Sequence, residues 1–273
     1  MVRTGGDWRI TFRPDIPSPA RIYDYLLGGK DNYPADREAA EEIIAAIPDA
    51  RTFAVQNRAF MRRAVRYLAT EAGIRQFIDI GAGLPTQGNV HEIAQQAAAG
   101  SRVVYVDNDP VVLAHGRVML HGLPDTAIVG RDLRQPGAIL ADSELNKLID
   151  FAEPVGLMLV AVLHFLADDE DPGSLVSQLL DGLAPGSYLV LSHASTDSRP
   201  ESSKALKVYD RATARAYSRT RDQVLAMVAG LELVEPGLVW VPQWRPDADL
   251  VADPSRSHVY GVVARKPAPA PGG

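Results

Sequence analysis

The run Gln76–Pro85, QFIDIGAGLP, sets a short apolar strand that carries Asp79 directly against a turn with two glycines, Gly81 and Gly83. Glycine takes positive φ without strain and has no Cβ, so the chain can turn sharply off the strand and lie close to a nucleotide-bearing cofactor. Tight glycine turns follow strands in many α/β proteins, and this run alone is a weak sign. The strands that come after it decide the fold.

A second strand is expected over Arg102–Val106, RVVYV, ending on Asp107 about 24 residues beyond Gly83. A carboxylate at that end of a doubly wound sheet is placed to accept from both hydroxyls of a ribose. Asp109 and Pro110 read as the N-cap and first-turn proline of the next helix. A third strand, Thr126–Val129, delivers Asp132, which could accept from an adenine amino group. The fourth apolar run, Val155–Leu163, is followed by His164 and the acidic turn Asp168–Asp171; the fifth, Tyr188–Ser192, is followed by His193.

The glycine loop separates two kinds of cofactor. A dinucleotide loop needs G-x-G-x-x-G with a helix starting at once, because the pyrophosphate sits on the helix N-terminus. Here Thr86 holds the third glycine position, Pro85 interrupts, and the helix is expected to start at Asn89 with Glu92 completing a capping box. Asp79 suits a cationic amino group and would repel a phosphate. A nicotinamide-dependent oxidoreductase and a non-catalytic cofactor-binding or sensing protein remain as alternatives.

In their order, Asp79-Ile80-Gly81-Ala82-Gly83, Asp107-Asn108 and Asp132-Leu133 resemble the class I S-adenosylmethionine-dependent methyltransferases. More narrowly, Ser18–Arg37 (SPARIYDYLLGGKDNYPADR), Asn57–Ala69, Gly230–Pro236 (GLELVEP) and Gln243–Pro246 resemble a bacterial family of S-adenosyl methyltransferases formerly labelled a domain of unknown function. The likeness runs from about Pro17 to Lys266 and leaves the acceptor unassigned. It implies a Rossmann-like α/β sheet of seven strands, mostly parallel, with an N-terminal helical cap and a last antiparallel hairpin near Gly237–Val241 and His258–Ala264. It implies S-adenosyl-L-methionine as cofactor, held by Asp79, Gly81, Ala82, Gly83, Asp107, Asn108, Asp132, Leu133 and Val162. Arg58 is assigned to the methionyl carboxylate.

His164 is the first candidate for a general base, against a reading in which it only steadies the turn by bonding near Asp168. On the substrate side, Tyr23, Tyr25, Lys30, Asn32 and Tyr33 cluster around Gly28-Gly29 as a closing loop, and His193, just past the fifth strand, is counted with that side and is the second candidate for a general base. The competing reading there is that Tyr23 and Leu26 simply pack the cap onto the core. Arg62, Arg63 and Arg66 are placed on a solvated face, and Pro242–Ser257, with Arg245, Asp247, Asp249 and Asp253, reads as a solvated connection.

Composition bounds these readings. The chain has 273 residues, 46% of them hydrophobic, enough for one substantial core plus a cap. It has no cysteine, which removes disulfides, thiol nucleophiles and cysteine metal sites; no metal site is expected. A net charge of -6 argues against nucleic acid and for a small-molecule acceptor. The apolar run Val155–Leu166 is too short to span a bilayer and no signal-peptide core is visible, so a cytoplasmic protein is expected. The expected organisation is an arm (1–17), a helical cap or lid (18–68), a core (69–266) with a helical insertion at about 195–218, and a tail (267–273).

Overall fold

The computed structural model describes residues 13–85, 88–200, 203–247 and 253–268. The expectations for Thr86, Asp249, the first twelve residues of the arm and residues 269–273 of the tail lie outside the described residues. Five strands, β1 (Gln76–Ile80), β2 (Arg102–Asp107), β3 (Thr126–Gly130), β4 (Gly156–Val160) and β5 (Tyr188–Ala194), pair in parallel in the order β3-β2-β1-β4-β5. The sheet then closes with β8 (Val259–Arg265), antiparallel to β5 from Tyr188↔Arg265 to Ala194↔Val259. Two short strands, β6 (Glu232–Leu233) and β7 (Val239–Trp240), share the outer edge of β8. Among the described residues, eight strands therefore occupy seven places, and the last hairpin is antiparallel, as the resemblance implies.

The inner strands are apolar almost throughout because both faces are covered. Alternation assigns each side chain to one of two cores. Phe77, Val103, Tyr105 and Met158 face the long helix α3 (Ala50–Thr70) through Phe60, Ala64 and Leu68. Ile78, Ile80, Val104 and Leu157 face the opposite layer, with Val176 and Leu179 of α8 (Pro172–Asp181).

Local signals place the remaining helices. Pro stands in the first turn of α1 (Pro19–Leu26), α2 (Pro34–Ala46), α5 (Pro110–Met119) and α6 (Pro136–Leu140), where a missing N–H costs nothing. Asn89 caps α4 (Val90–Ala97), its own N–H bonded to Glu92 at 2.8 Å. Asp142 caps α7 (Ser143–Leu148). The insertion after β5 is less helical than expected: it holds α9 (Ser203–Leu206) and a 3₁₀ turn at Lys207–Arg211 before α10 (Arg221–Ala226). Ala205 and Val208 join Ile22, Leu26, Ala40, Ile43 and Ala54 in a third apolar cluster, so cap and insertion pack as one body.

Two expectations are corrected. Arg63 is buried, donating from Nε to the Trp244 carbonyl at 2.8 Å and from Nη2 to that of Val241 at 2.6 Å; Arg62 and Arg66 are exposed. The connection after β7 is anchored by fully buried Trp244, whose ring meets Phe60 edge-on at 5.6 Å and Tyr67 at 5.8 Å. Local polarity around Trp244 hid a contact to α3 that lies 181 residues away in sequence.

Candidate functional site

A cavity of about 800 Å³ opens at the carboxyl ends of β1, β2, β3 and β4, beneath α1. The chain leaves β1 with Gly81 at φ +73° and Gly83 at φ +65°, a backbone that L side chains resist. Gly81 donates to the Val106 carbonyl at 2.8 Å, and a Cβ there would overlap the Val162 side chain, which packs on the loop from beyond β4. Asp107 steadies the turn: its Oδ2 accepts from Gly83 N–H at 2.9 Å and its Oδ1 from Asp109 N–H at 2.8 Å.

Each Asp107 oxygen keeps a lone pair for a ligand hydroxyl. Burial pushes the Asp107 carboxyl up to about 6, although those N–H donors oppose it. Burial pushes Asp79 further, to about 7, with the Arg58 charge lowering it and Asp107 raising it. Asp79, in register with Tyr105 of β2 and Met158 of β4, is 9% exposed and lines the cavity. Arg58 donates from Nη2 to Asn89 Oδ1 at 3.0 Å, while its Nε is buried with no partner among the described residues. At the end of β3, Asp132 accepts from the Asn108 amide at 3.1 Å and the Arg134 N–H at 2.9 Å. Burial would raise it, but these donors and the Arg134 charge hold it below the usual carboxylate range.

All ten residues assigned to the cofactor line this one cavity. The chemistry of the set fits S-adenosyl-L-methionine: two underpaired carboxylates want a cation and hydroxyls, a cation with an orphaned N–H wants a carboxylate, and the bare glycine turn leaves room for the body of the molecule. A pyrophosphate would meet carboxylates there instead of a helix N-terminus.

On the cap side, α1 turns Pro19, Ala20, Tyr23, Asp24 and Leu27 toward the cavity, and Ser18 Oγ donates to Asp109 Oδ2 at 2.6 Å. Tyr25, Lys30, Asn32 and Tyr33 do not line it, which corrects the substrate-side expectation. Residues two apart do not share a helix face, so Tyr25 turns away from Tyr23 and donates to Glu41 at 2.6 Å. Asn32 donates to Asp24 at 2.8 Å, Tyr33 caps α2, and Lys30 is exposed.

His164 sits on a 3₁₀ turn after β4 and does line the cavity. It is 5% exposed, and its Nδ1 has no partner among the described residues. Burial, with His193 and Arg219 adding, holds its pKa well below the usual histidine value, so the ring is neutral. Asp168 is not its partner: that carboxylate pairs with Arg219 at 2.7 Å. His193 is a second correction. It is fully buried away from the cavity, with Nδ1 paired to the Ala194 carbonyl at 2.7 Å and Nε2 to Arg219 Nη1 at 3.0 Å. Burial pushes it down to about 4, leaving a neutral ring that accepts from Arg219.

Sequence reasoning missed a polar chain that joins sheet to cap. Ala161, at φ +56°, donates to Ser192 Oγ at 2.9 Å; Ser192 donates to Asn57 Oδ1 at 2.6 Å, and Asn57 Nδ2 to the Tyr23 hydroxyl at 3.0 Å. The visible signal was an Asn in the apolar stripe Ala54, Asn57, Phe60, Met61, Ala64. Tyr209, Thr213, Arg215 and Tyr217 of the insertion also wall the cavity, with no sequence motif to mark them.

With this geometry in place, similarity to known proteins is specific. The model of a family described as S-adenosyl methyltransferase matches residues 10–267. A candidate methyltransferase of Thermobifida fusca YX is 40% identical, over 93% of this chain and 96% of its own, with a TM-score of 0.89. A DUF574 family protein of Streptomyces avermitilis MA-4680 is 43% identical, over 93% and 100%, also with a TM-score of 0.89. No curated protein matches. The chain belongs to the S-adenosyl methyltransferase family, and it is an S-adenosylmethionine-dependent methyltransferase on a class I sheet. Among the described residues, no helix is long and apolar enough to cross a membrane.

Proposed function

We propose that this enzyme methylates a small molecule held between the glycine loop and the helical cap, in the cytoplasm. The observation that carries the reading is the shared wall of one 800 Å³ cavity, with the cofactor carboxylates at one end and neutral His164 among aromatic residues at the other. When bound, S-adenosyl-L-methionine supplies an activated methyl group on a sulfonium. Asp107 accepts from the ribose hydroxyls, Asp132 from the adenine amino group, Asp79 receives the ammonium and Arg58 the carboxylate. Helix α1 and the insertion exclude water from the acceptor. The His164 ring, neutral at neutral pH, takes the proton that the acceptor hydroxyl or amine gives up.

Release of S-adenosylhomocysteine, measured with a panel of small phenols and amines, tests the reading. It predicts turnover that falls at least tenfold in His164→Ala while cofactor affinity is kept. Equal turnover in the variant would return His164 to a structural role.

A further inference from the structure

Beside the main cavity lies a second, of about 70 Å³, between the cap and the insertion. Phe53, His164 and Tyr209 line both, so these three side chains form the partition. Leu26, Ile43, Ile47 and Ala205 make the far walls apolar. Polar groups interrupt them: Ser195, whose Oγ accepts from Asp197 N–H, Thr196 and Ser218, whose hydroxyls pair with each other at 3.2 Å, and His258, which is 4% exposed, with its Nδ1 near Ser198 Oγ at 3.3 Å and its Nε2 buried with no partner among the described residues. Across the partition, Nδ1 of His164 is likewise unpartnered. A buried imidazole nitrogen left unpaired costs free energy that a ligand group can recover.

We propose that the methyl acceptor is a flat aromatic alcohol recognised at two points. Its reacting hydroxyl faces His164, and a short apolar arm enters the side cavity and ends in a polar group on His258 Nε2. The flat body follows from Tyr23, Phe53, Phe165, Tyr209 and Tyr217, which ring the cavity on the His164 side. The arm length follows from volume. A cavity of about 150 Å³ holds benzene, so 70 Å³ takes a few heavy atoms and refuses a second ring. The inference rests on the methyl-transfer reading for the role of the hydroxyl, but the arm site is testable without turnover.

The probes are phenol, 4-ethylphenol, 4-(2-hydroxyethyl)phenol and 4-phenylphenol, titrated calorimetrically with and without S-adenosylhomocysteine. Burying two methylenes tightens 4-ethylphenol over phenol by about tenfold, the terminal hydroxyl adds about tenfold more, and 4-phenylphenol binds no better than phenol. Ala216→Phe, at a partly exposed position that lines only the side cavity, removes these differences and leaves S-adenosylhomocysteine binding unchanged. Equal affinities across the series, tight binding of 4-phenylphenol, or an unchanged order in Ala216→Phe overturns the proposal. Should S-adenosylhomocysteine itself not bind, the cofactor reading fails instead, and the arm series without it still decides the side cavity.

Discussion

The Asp107 carboxylate accepts the N–H of Gly83 at 2.9 Å, so the end of β2 holds the glycine loop that follows β1. One side chain thus shapes the glycine turn and keeps a lone pair on each oxygen at the cavity wall. Its second oxygen, bonded to Asp109 N–H, also sets the start of α5, while Ser18 of the cap bonds Asp109 in turn.

Asp107→Ala removes two charged acceptors from the ribose, each worth about 1.5 kcal/mol or more, and S-adenosylmethionine affinity falls about a hundredfold. Because Gly83 and Asp109 also lose their acceptor, the melting temperature drops. Titration calorimetry with a thermal melt reads both. Unchanged affinity in a folded variant would remove Asp107 from the cofactor site.

Asp79 titrates near 7 because burial disfavours its charge. A protonated Asp79 cannot pair with an ammonium, so the cofactor binds more weakly as pH falls through that value, by up to about tenfold per unit below it. The same raised pKa means that, without ligand, this group's contribution to stability is full below the ordinary aspartate range and is lost as pH rises through 7. Affinity measured from pH 6 to 8 should rise in the native enzyme. In Asp79→Asn it should be weaker, and the part of the pH dependence that Asp79 supplies should disappear. A slope kept whole in that variant assigns it to another group.

Arg219 is 4% exposed and donates to the carbonyls of Leu163 and Leu166, to His193 Nε2 and to Asp168. Arg219→Met strands three buried acceptors, costing about 3 kcal/mol or more, or roughly 6 °C or more in melting temperature. Asp168→Ala should cost much less, since that side chain is 78% exposed. Comparable losses from both would mean that the ion pair, and not the buried bonds, holds the His164 turn.

The parallel strands and their polar ends were legible because a strand buried on both faces writes a continuous apolar run and stops at its charge. Asp79, Asp107 and Asp132 stand where that grammar puts them, and the Asn89–Glu92 box starts α4 as read. The cap was legible as helix but not in phase: of the aromatics read around Gly28-Gly29, Tyr23 faces the cavity while Tyr25 and Tyr33 do not, and Leu27 faces it unread. His193 was misplaced because its partner, Arg219, lies 26 residues on in an irregular segment, where no periodicity ties the two together. Tyr209 and Tyr217 escaped for the same reason: a wall built by tertiary packing leaves no local pattern.

The glycine loop and its carboxylates are proposed to hold an adenosyl amino acid and not a dinucleotide. Thermal unfolding with S-adenosylmethionine, S-adenosylhomocysteine, NAD and NADP in parallel tests it most directly. Ligand at 100 times its dissociation constant adds about 2.7 kcal/mol, on the order of 5 to 10 °C for a chain of this size. That rise is expected with the two adenosyl ligands and none with the dinucleotides; stabilisation by NAD or NADP alone would overturn the assignment of the glycine loop.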